Sequence, residues 1–300
     1  MEEYKGTILK GIGGFYYVNT TAGVFECKAA GKFRKDKLIP LVGDTVFIET
    51  YDNETGGYAA IKSIKKRKNQ LIRPPIANID KLLIVLSVCD PAPNTIIIDK
   101  LIAMAISNNI EPVLIISKID LSSAEKILDI YKLSGIKSIL FSRVDGSGED
   151  LEEIKSVLKG NISAFTGNSG VGKSTILNCL DKTLGLQTGD ISKKLGRGRH
   201  TTRHVELFLL PFGGYVADTP GFSSIDIGKF NIIKKSELAY CFKEFRSFIN
   251  FCKFTSCSHT GEVGCAVVEA VNKGEINLYR YKSYISIYNE IKSNKEWEKS

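Results

Sequence analysis

The sequence predicts a multidomain fold: a small N-terminal β-barrel, a central α/β domain with a parallel sheet, and an α-helical C-terminal domain. Three observations support it. Short β-rich runs fill residues 1–66, apolar runs alternate with amphipathic stretches across residues 67–224, and residues 225–300 have a helical pattern around three cysteines and one histidine. These three ranges are the predicted domains.

The predicted barrel rests on four short β-rich runs, which Gly, Asn and Asp turn signals separate. Several short strands in a segment of this length are typical of a small closed barrel, and the oligonucleotide-binding barrel (OB-fold) is a common solution. A β-domain without a ligand fits the same segment. The runs are GTILKGIGGFYYVNT, GVFECKA, DTVFIETY and YAAIKSI.

The charge balance points to a polyanionic partner. The chain has 41 basic and 33 acidic residues, a net charge of +8, and its lysines and arginines cluster at 65–73 and 193–204. Such clusters favour nucleic acid, although a solvated basic surface gives the same balance. No apolar run approaches ~18 residues, and the N-terminus lacks the apolar core of a signal peptide. We therefore expect a cytoplasmic protein that does not bind membranes.

The central domain is predicted from apolar runs that are typical of strands covered on both faces. Amphipathic helical stretches at 96–106, 122–133 and 151–158 lie between these runs, and this alternation indicates a parallel α/β sheet. Two further strand candidates follow at 205–210 and 213–218. The apolar runs are KLLIVLSV (81–88), EPVLIIS (111–117), IKSILFS (136–142) and NISAFTG (161–167).

The stretch GNSGVGKS fits the phosphate-binding loop pattern G-x-x-x-x-G-K-[ST] between an apolar strand and a helical run. Its backbone N–H groups would surround the phosphates at the positive end of a helix. Lys173 would neutralise the β- and γ-phosphates, Ser174 would bind Mg²⁺, and Thr175 would approach the α-phosphate. The predicted nucleotide contacts are Gly167, Asn168, Ser169, Gly170, Val171, Gly172, Lys173, Ser174 and Thr175.

The stretch DTPG ends the last strand candidate and is a second nucleotide signal. Asp218 would hold Mg²⁺ through water, and the N–H of Gly221 would meet the γ-phosphate. Alone, this tetrapeptide is only a turn. Its position after a phosphate-binding loop is what makes it significant.

The stretch SKID ends the strand 111–117, at the edge where a parallel sheet presents its ligand. Asp120 could accept from N1–H and N2–H₂ of guanine, a donor pair that adenine lacks, and so select GTP over ATP. Ser117 stands where such loops usually have Asn, so we expect fewer bonds to the phosphate-binding loop and a modest nucleotide affinity. The Lys118 stem would lie over the base. The predicted base contacts are Ser117, Lys118, Ile119 and Asp120, with Ser142 of the stretch FSR near guanine O6.

The order of these stretches is permuted. SKID and FSR precede the phosphate-binding loop, whereas in most GTP-binding proteins they follow it; GRHTT (198–202) and DTPG come after it. The same sheet can form with the chain cut elsewhere, since termini tend to lie close together. The order predicts a circularly permuted GTPase, and the alternative is a P-loop ATPase in which SKID is incidental. Because DTPG leads directly into the C-terminal region, we hypothesise that the nucleotide state repositions that domain.

Phe222 follows the DTPG turn, where many GTPases place a glutamine that orients the attacking water. Its ring cannot hydrogen-bond water, so we expect slow intrinsic hydrolysis. His200 is the candidate catalytic residue that orients the water; contact with an RNA phosphate is its alternative role. Either Thr201 or Thr202 would complete the Mg²⁺ shell. A nucleotide-gated RNA-binding switch with negligible catalysis remains the alternative function.

The C-terminal cluster has the spacing Cys-x4-Cys-x-His-x5-Cys. Three thiolates and one imidazole make a closed tetrahedral zinc site, which is structural because it leaves no open position for catalysis. Three buried thiols beside a surface histidine are the alternative. The predicted ligands of this single Zn²⁺ are Cys252, Cys257, His259 and Cys265.

Together these features resemble the RsgA (YjeQ) family of small-subunit-dependent ribosomal GTPases. The resemblance is carried by PLVGDTV, RPPIANID, GNSGVGKSTILN, GRGRHTT, ADTPGFSS and the Cys/His cluster, which span nearly the whole chain. It implies an OB-fold RNA-binding domain, a circularly permuted GTPase domain and a helical zinc-binding domain, in that order.

The resemblance also implies GTP or GDP contacts at 117–120 and 167–175 and zinc at the four cluster residues. It implies a role in late maturation of the 30S ribosomal subunit, with GTP hydrolysis stimulated by that subunit. The expected partners are the 30S subunit and its 16S rRNA. The stretch GEVGC replaces the more familiar Glu-Pro-Gly-Cys, a change that leaves the ligands in place. No feature indicates an oligomer, so we expect a monomer.

Overall fold

The structure is a computed structural model. It describes residues 2–31, 33, 38–50, 58–72, 74–142, 148–181, 205–218 and 233–297, with the side chains of 218 and 294–297 excepted. Within these ranges, no helix has the length and apolar character to cross a membrane.

The N-terminal domain is a closed five-stranded barrel. Strand β1 pairs antiparallel with both β2 and β4, β3 runs parallel to β5, and the strand order is therefore β1-β2-β3-β5-β4 with closure back to β1. Ile8, Val18 and Ile48 alternate with outward-facing residues and are fully buried inside it. The predicted barrel is confirmed. Its strands are β1 (Glu3–Ile12), β2 (Phe15–Thr20), β3 (Gly23–Ala29), β4 (Thr45–Thr50) and β5 (Tyr58–Ile64).

The segment after the barrel is a hydrogen-bonded joint that contains the short hairpin β6 (Gln70–Leu71) and β7 (Ile76–Ala77). Arg67 Nε and Nη2 donate to the two carboxylate oxygens of the buried Asp44, both at 2.7 Å. Lys68 pairs with Asp80 at 2.6 Å. Two cations of the 65–73 cluster are thus paired within the protein, and this cluster offers nucleic acid less free charge than the sequence indicated.

The stretches PLVGDTV and RPPIANID meet at this joint. Gly43 has φ +86°, and a Cβ there would lie 2.1 Å from the carbonyl oxygen of Ala77. Asn78 Nδ2 donates to the Gly43 carbonyl oxygen at 2.9 Å. The close backbone approach requires glycine, and it fixes the barrel against the chain that enters the central domain.

The central domain has the predicted parallel sheet. The strand order is β10-β9-β8-β11-β13-β12, and neighbours from β10 to β13 run parallel. Strand β12 runs antiparallel to β13 and also pairs antiparallel with β1 of the barrel, where Lys10 is opposite Glu206. The carboxyl ends of the parallel strands therefore lie at one edge of the sheet. The elements are β8 (Lys81–Ser87), α1 (Thr95–Ser107), β9 (Glu111–Ser117), α2 (Glu125–Tyr131), β10 (Lys137–Phe141), α3 (Glu149–Leu158), β11 (Ile162–Thr166), α4 (Lys173–Leu180), β12 (Glu206–Leu209) and β13 (Tyr215–Asp218).

The C-terminal region is helical, as predicted, and packs on α1 and α2. Phe242, Phe245 and Tyr284 form an aromatic group whose ring centroids lie 5.0–5.4 Å apart. This group belongs to the same apolar core as one face of the sheet, so the two regions share a core. The elements are three 3₁₀ turns (Leu238–Cys241, Lys243–Phe245, Ile249–Phe251), α5 (Ala266–Asn272) and α6 (Leu278–Trp297).

Candidate functional site

The phosphate-binding loop connects β11 to α4, the strand–loop–helix context that the motif requires. Gly167 has φ +140°, and a Cβ there would lie 2.1 Å from the carbonyl oxygen of Val85 on β8. Gly172 has φ +97° and directly precedes the first turn of α4. Gly167 is needed because the loop turns tightly against the neighbouring strand, and Gly172 because of its positive φ.

Lys173 bends back over this loop. Its Nζ donates to the carbonyl oxygens of Gly167 at 2.7 Å and Asn168 at 2.5 Å. Burial lowers the pKa of Lys173 to about 8. The ammonium group thus lies among the backbone groups that would surround the phosphates, where an anion would favour its charged form. Ser174 and Thr175 follow in the first turn of α4, both half-buried.

Ser117 connects residues 117–120, the predicted base-reading loop, to the phosphate-binding loop. Its hydroxyl lies 2.6 Å from the Val171 carbonyl oxygen and 3.0 Å from the Leu86 carbonyl oxygen, and the residue is buried. One hydroxyl proton replaces the two amide N–H donors of the usual Asn. The connection that an asparagine would make is therefore kept with a shorter side chain.

Asp120 and Ser142 come together at the carboxyl ends of β9 and β10. The Ser142 hydroxyl donates to Asp120 Oδ1 at 3.3 Å, and Ser142 is buried. Lys118 has φ +61°, and its Nζ donates to the carbonyl oxygen of Asp90. Ile119 lies in the same turn. These residues thus form one cluster with Ser117, beside the phosphate-binding loop.

The loop 88–94 is a part of this site that the sequence reasoning missed. Its Asp90 carbonyl oxygen accepts a hydrogen bond from Lys118. The loop ends at Asn94, whose Oδ1 accepts from the N–H groups of Ile96 and Ile97 at 3.1 and 3.3 Å and so caps α1. Pro93 and Asn94 line a crevice together with Gly167 and Asn168. The prolines and the helix-capping Asn in VCDPAPN are the sequence signal that could have indicated a loop followed by a helix start here.

Several predicted residues are not located by the structure. His200, Thr201, Thr202 and Gly221 lie outside the described residues. The backbone of Asp218 ends β13, and parallel pairing of β13 with β11 puts that end at the same sheet edge as the phosphate-binding loop.

The four cysteine and histidine residues of the C-terminal cluster come together. Their ligand atoms all lie within 4.8 Å of one another. His259 Nδ1 is 3.4 Å from the Cys252 sulfur and 3.6 Å from the Cys265 sulfur, and those two sulfurs are 3.9 Å apart. A tetrahedral Zn²⁺ with Zn–S bonds of ~2.3 Å needs edges of roughly 3.8 Å, so the donor set fits that ion.

The protonation states of the cluster couple cation binding to proton release, because metals bind thiolates and neutral imidazole. Burial raises the pKa of Cys257 to about 12 and also raises that of Cys265, so both thiols hold their protons when no cation is bound. Burial lowers the pKa of His259, which favours the neutral imidazole that binds metals.

Glu262 and α6 hold the loop of this cluster. Burial opposes ionisation of Glu262, but hydrogen bonds from Ser258 and from the Thr260 N–H outweigh it and bring the pKa to about 2. Tyr284 of α6 donates to the Ser258 carbonyl oxygen at 2.6 Å. The metal-ligand loop is therefore joined directly to the long C-terminal helix.

Comparison with known proteins gives consistent matches over the chain. The family model described as RsgA GTPase matches residues 64–228, and the RsgA N-terminal domain model matches residues 5–58. Proteins named small ribosomal subunit biogenesis GTPase RsgA are 48% identical in Caldanaerobacter subterraneus (99% of this chain, 98% of the relative) and 44% identical in Halalkalibacterium halodurans (96% and 97%).

Two solved structures have the same fold. The crystal structure of YloQ, described as a circularly permuted GTPase, superposes with a TM-score of 0.80 at 35% identity, covering 97% of this chain and 96% of that one. The structure of YjeQ from Thermotoga maritima superposes with a TM-score of 0.82 at 34% identity, covering 97% and 99%. The motif order inferred from the sequence therefore matches that of a known permuted fold.

Proposed function

This chain belongs to the RsgA GTPase family, and we propose that it hydrolyses GTP while it assists the late maturation of the small ribosomal subunit. The main support for a guanine-nucleotide site is the hydrogen bond from Ser117 to Val171. It joins the base-reading loop, which comes first in the chain, to the phosphate-binding loop, which comes second. The two loops therefore form one site for the base and the phosphates, despite their permuted order in the chain.

In this proposal, the base-reading loop selects guanine. Asp120 accepts from N1–H and N2–H₂ of the base, the Lys118 stem covers its face, and the Ser142 side lies near O6. Adenine would offer no matching donor pair to the Asp120 carboxylate, and hydrogen bonds to a charged group contribute about 1.5–3 kcal/mol. That difference favours GTP and GDP over adenine nucleotides.

The phosphates would lie in the loop 167–172, where Lys173 exchanges its two carbonyl partners for the β- and γ-phosphate oxygens. Ser174 and Asp218 would hold Mg²⁺, which supplies positive charge that stabilises the transferring phosphoryl group. Gly221 would donate its N–H to the γ-phosphate, and Thr201 or Thr202 would complete the Mg²⁺ shell. Water attacks the γ-phosphorus and GDP leaves.

The ribosomal part of the proposal rests on the relatives' name, which specifies biogenesis of the small ribosomal subunit. The net charge of +8 and the barrel support contact with RNA phosphate. The partners are then the 30S subunit and its 16S rRNA, and the protein acts as a monomer in the cytoplasm. Intrinsic turnover is slow because Phe222 cannot orient water, and His200 or the subunit supplies that group.

The C-terminal cluster holds one structural Zn²⁺ in this proposal. Cys252, Cys257, Cys265 and Nδ1 of His259 fill all four tetrahedral positions, and no position is left for a reactive water. Its contribution is to fix the loop that Tyr284 joins to α6.

The test is phosphate release from GTP and from ATP, alone, with 30S subunits, and with 50S subunits as the control. We expect GTP hydrolysis that 30S subunits stimulate and 50S subunits do not. Equal use of ATP would refute the role of Asp120. GTP binding without stimulated turnover would favour a nucleotide-gated RNA-binding switch, for which the Phe222 position is the supporting observation.

A further inference from the structure

Arg280 of α6 is a fully buried cation at the boundary between the C-terminal region and the central domain. Its Nε donates to Glu244 Oε1 at 2.7 Å, and its Nη2 lies 3.3 Å from Glu244 Oε2. Its Nη1 pairs with Asp99 of α1. One guanidinium thus joins a carboxylate of the C-terminal region to a carboxylate of the central domain.

The same guanidinium also contacts α2. Its carbon lies 5.4 Å from the ring centroid of Tyr131 and 4.6 Å from that of Phe242. The Tyr131 hydroxyl donates to Asp99 Oδ1 at 3.0 Å, which closes the group. One planar side chain from α6 thus contacts both α1 and α2.

A buried ionic group of this kind is poorly explained by stability alone. Burial raises the pKa of Asp99 even though Arg280 lies beside it. Apolar side chains of similar volume often give equal or greater stability in such places. What the guanidinium provides is directional geometry: five N–H donors in one rigid plane.

Both helices begin at the candidate nucleotide site. The loop 88–94 precedes α1; its Asp90 carbonyl accepts from Lys118, and its end lines the crevice beside the phosphate-binding loop. The base-reading loop 117–120 precedes α2. Because a helix moves as a rigid element, the spacing of α1 and α2 sets the spacing of these two loops.

We propose that Arg280 is a positioning residue for the guanine-nucleotide site. Arg280 lies outside the central domain, yet it contacts Asp99 of α1 and Tyr131 of α2. Through these two helices it fixes the loops that carry Asp90 and Asp120. The inference rests on the nucleotide site of the proposed function. It has a reciprocal consequence: if docking of α6 strengthens nucleotide binding, then bound nucleotide strengthens the docking of α6 by the same factor.

The test compares GDP affinity among Arg280→Lys, Tyr131→Phe and a matched control, Lys100→Met. Lysine keeps a positive charge between the two carboxylates but loses the fork and the ring stacking. Lys100 also joins α1 to α6, through Glu290, but at a partly exposed position. Affinity is measured by titration with fluorescent GDP and Mg²⁺, together with thermal unfolding and zinc content for each variant.

We expect Arg280→Lys to weaken GDP binding by about fivefold or more, the lower range of coupling between separate sites, while the zinc content stays at the wild-type value. Lys100→Met should bind GDP as the wild type does. If Arg280→Lys does not fold, the GDP affinity of Tyr131→Phe tests the inference instead. This variant removes one hydroxyl from the group and leaves Arg280 paired with its carboxylates.

Hydrogen exchange gives the reciprocal measurement. Bound GDP should slow exchange in α6 of the wild type, and less so in Tyr131→Phe. Wild-type GDP affinity in both Arg280→Lys and Tyr131→Phe, or exchange in α6 that does not respond to GDP, would overturn the inference. A wild-type protein that fails to bind GDP would instead overturn the proposed function, so the two failures are distinguishable.

Discussion

Replacing Ser117 by alanine removes the hydrogen bond between the base-reading and phosphate-binding loops. The hydroxyl is buried and lies 2.6 Å from the Val171 carbonyl oxygen and 3.0 Å from that of Leu86. Loss of a donor from a buried position costs about 1–3 kcal/mol. The bond is formed before nucleotide binds, so this cost divides between folding and binding.

If the whole cost falls on binding, the Kd for GDP rises by about 5-fold to 150-fold, since 1.4 kcal/mol corresponds to tenfold. If it falls on folding, the midpoint of thermal unfolding drops instead. Both quantities are therefore measured on the same samples, by fluorescent-GDP titration and by calorimetry.

Ser163→Ala is the matched control. Ser163 is a buried serine of the same sheet, on the strand that enters the phosphate-binding loop, and its hydroxyl has no hydrogen-bond partner among the described residues. Its replacement should leave GDP affinity unchanged and stability unchanged or slightly higher. If Ser117→Ala behaves like Ser163→Ala in both measurements, the connection between the loops has no energetic role and the reasoning is refuted.

Three further outcomes are expected. Asp120→Asn should weaken GTP binding about tenfold or more and improve XTP binding, because the amide can donate to xanthine O2. Competition titrations with GTP and XTP check this, and an unchanged preference for GTP would exclude Asp120 as the residue that selects the base. Cys257→Ser should lower the zinc content below one per chain and destabilise the C-terminal helices, as metal analysis and thermal unfolding will show; full zinc content would contradict the ligand set. Arg67→Ala should lower the free energy of unfolding by about 3–5 kcal/mol, because it leaves the buried Asp44 unpaired; adding Asp44→Asn should recover part of this in urea unfolding, and no recovery would contradict the pairing.

Some predictions from the sequence held because their physical signals act over a few residues. Near-continuous apolar runs predicted the parallel strands, and the strand 111–117 has the same bounds in the structure. On α6, the helically spaced Tyr284, Tyr288 and Ile291 are buried and form a packing face, and Leu278 at the start of the helix is half exposed. The three cysteines and the histidine that spacing and ligand chemistry singled out come together in the structure.

Other features escaped the sequence because a side chain carries no local signal of a distant partner. The cluster 65–73 was interpreted as favouring a nucleic-acid partner, yet its Arg67 pairs with Asp44, 23 positions away. In the same way, nothing near Lys118 in the sequence indicates that its ammonium group contacts Asp90.

The sequence alone was sufficient to predict the barrel, the parallel sheet, the permuted order of the motifs and the Cys/His cluster, since each depends on period, glycine φ angles or spacing along a short segment. Only the tertiary structure decided that Ser117 meets Val171, and that Arg280 meets Asp99 from 181 positions away. Those contacts depend on how strands and helices pack against one another, which the residues on either side of each partner do not encode.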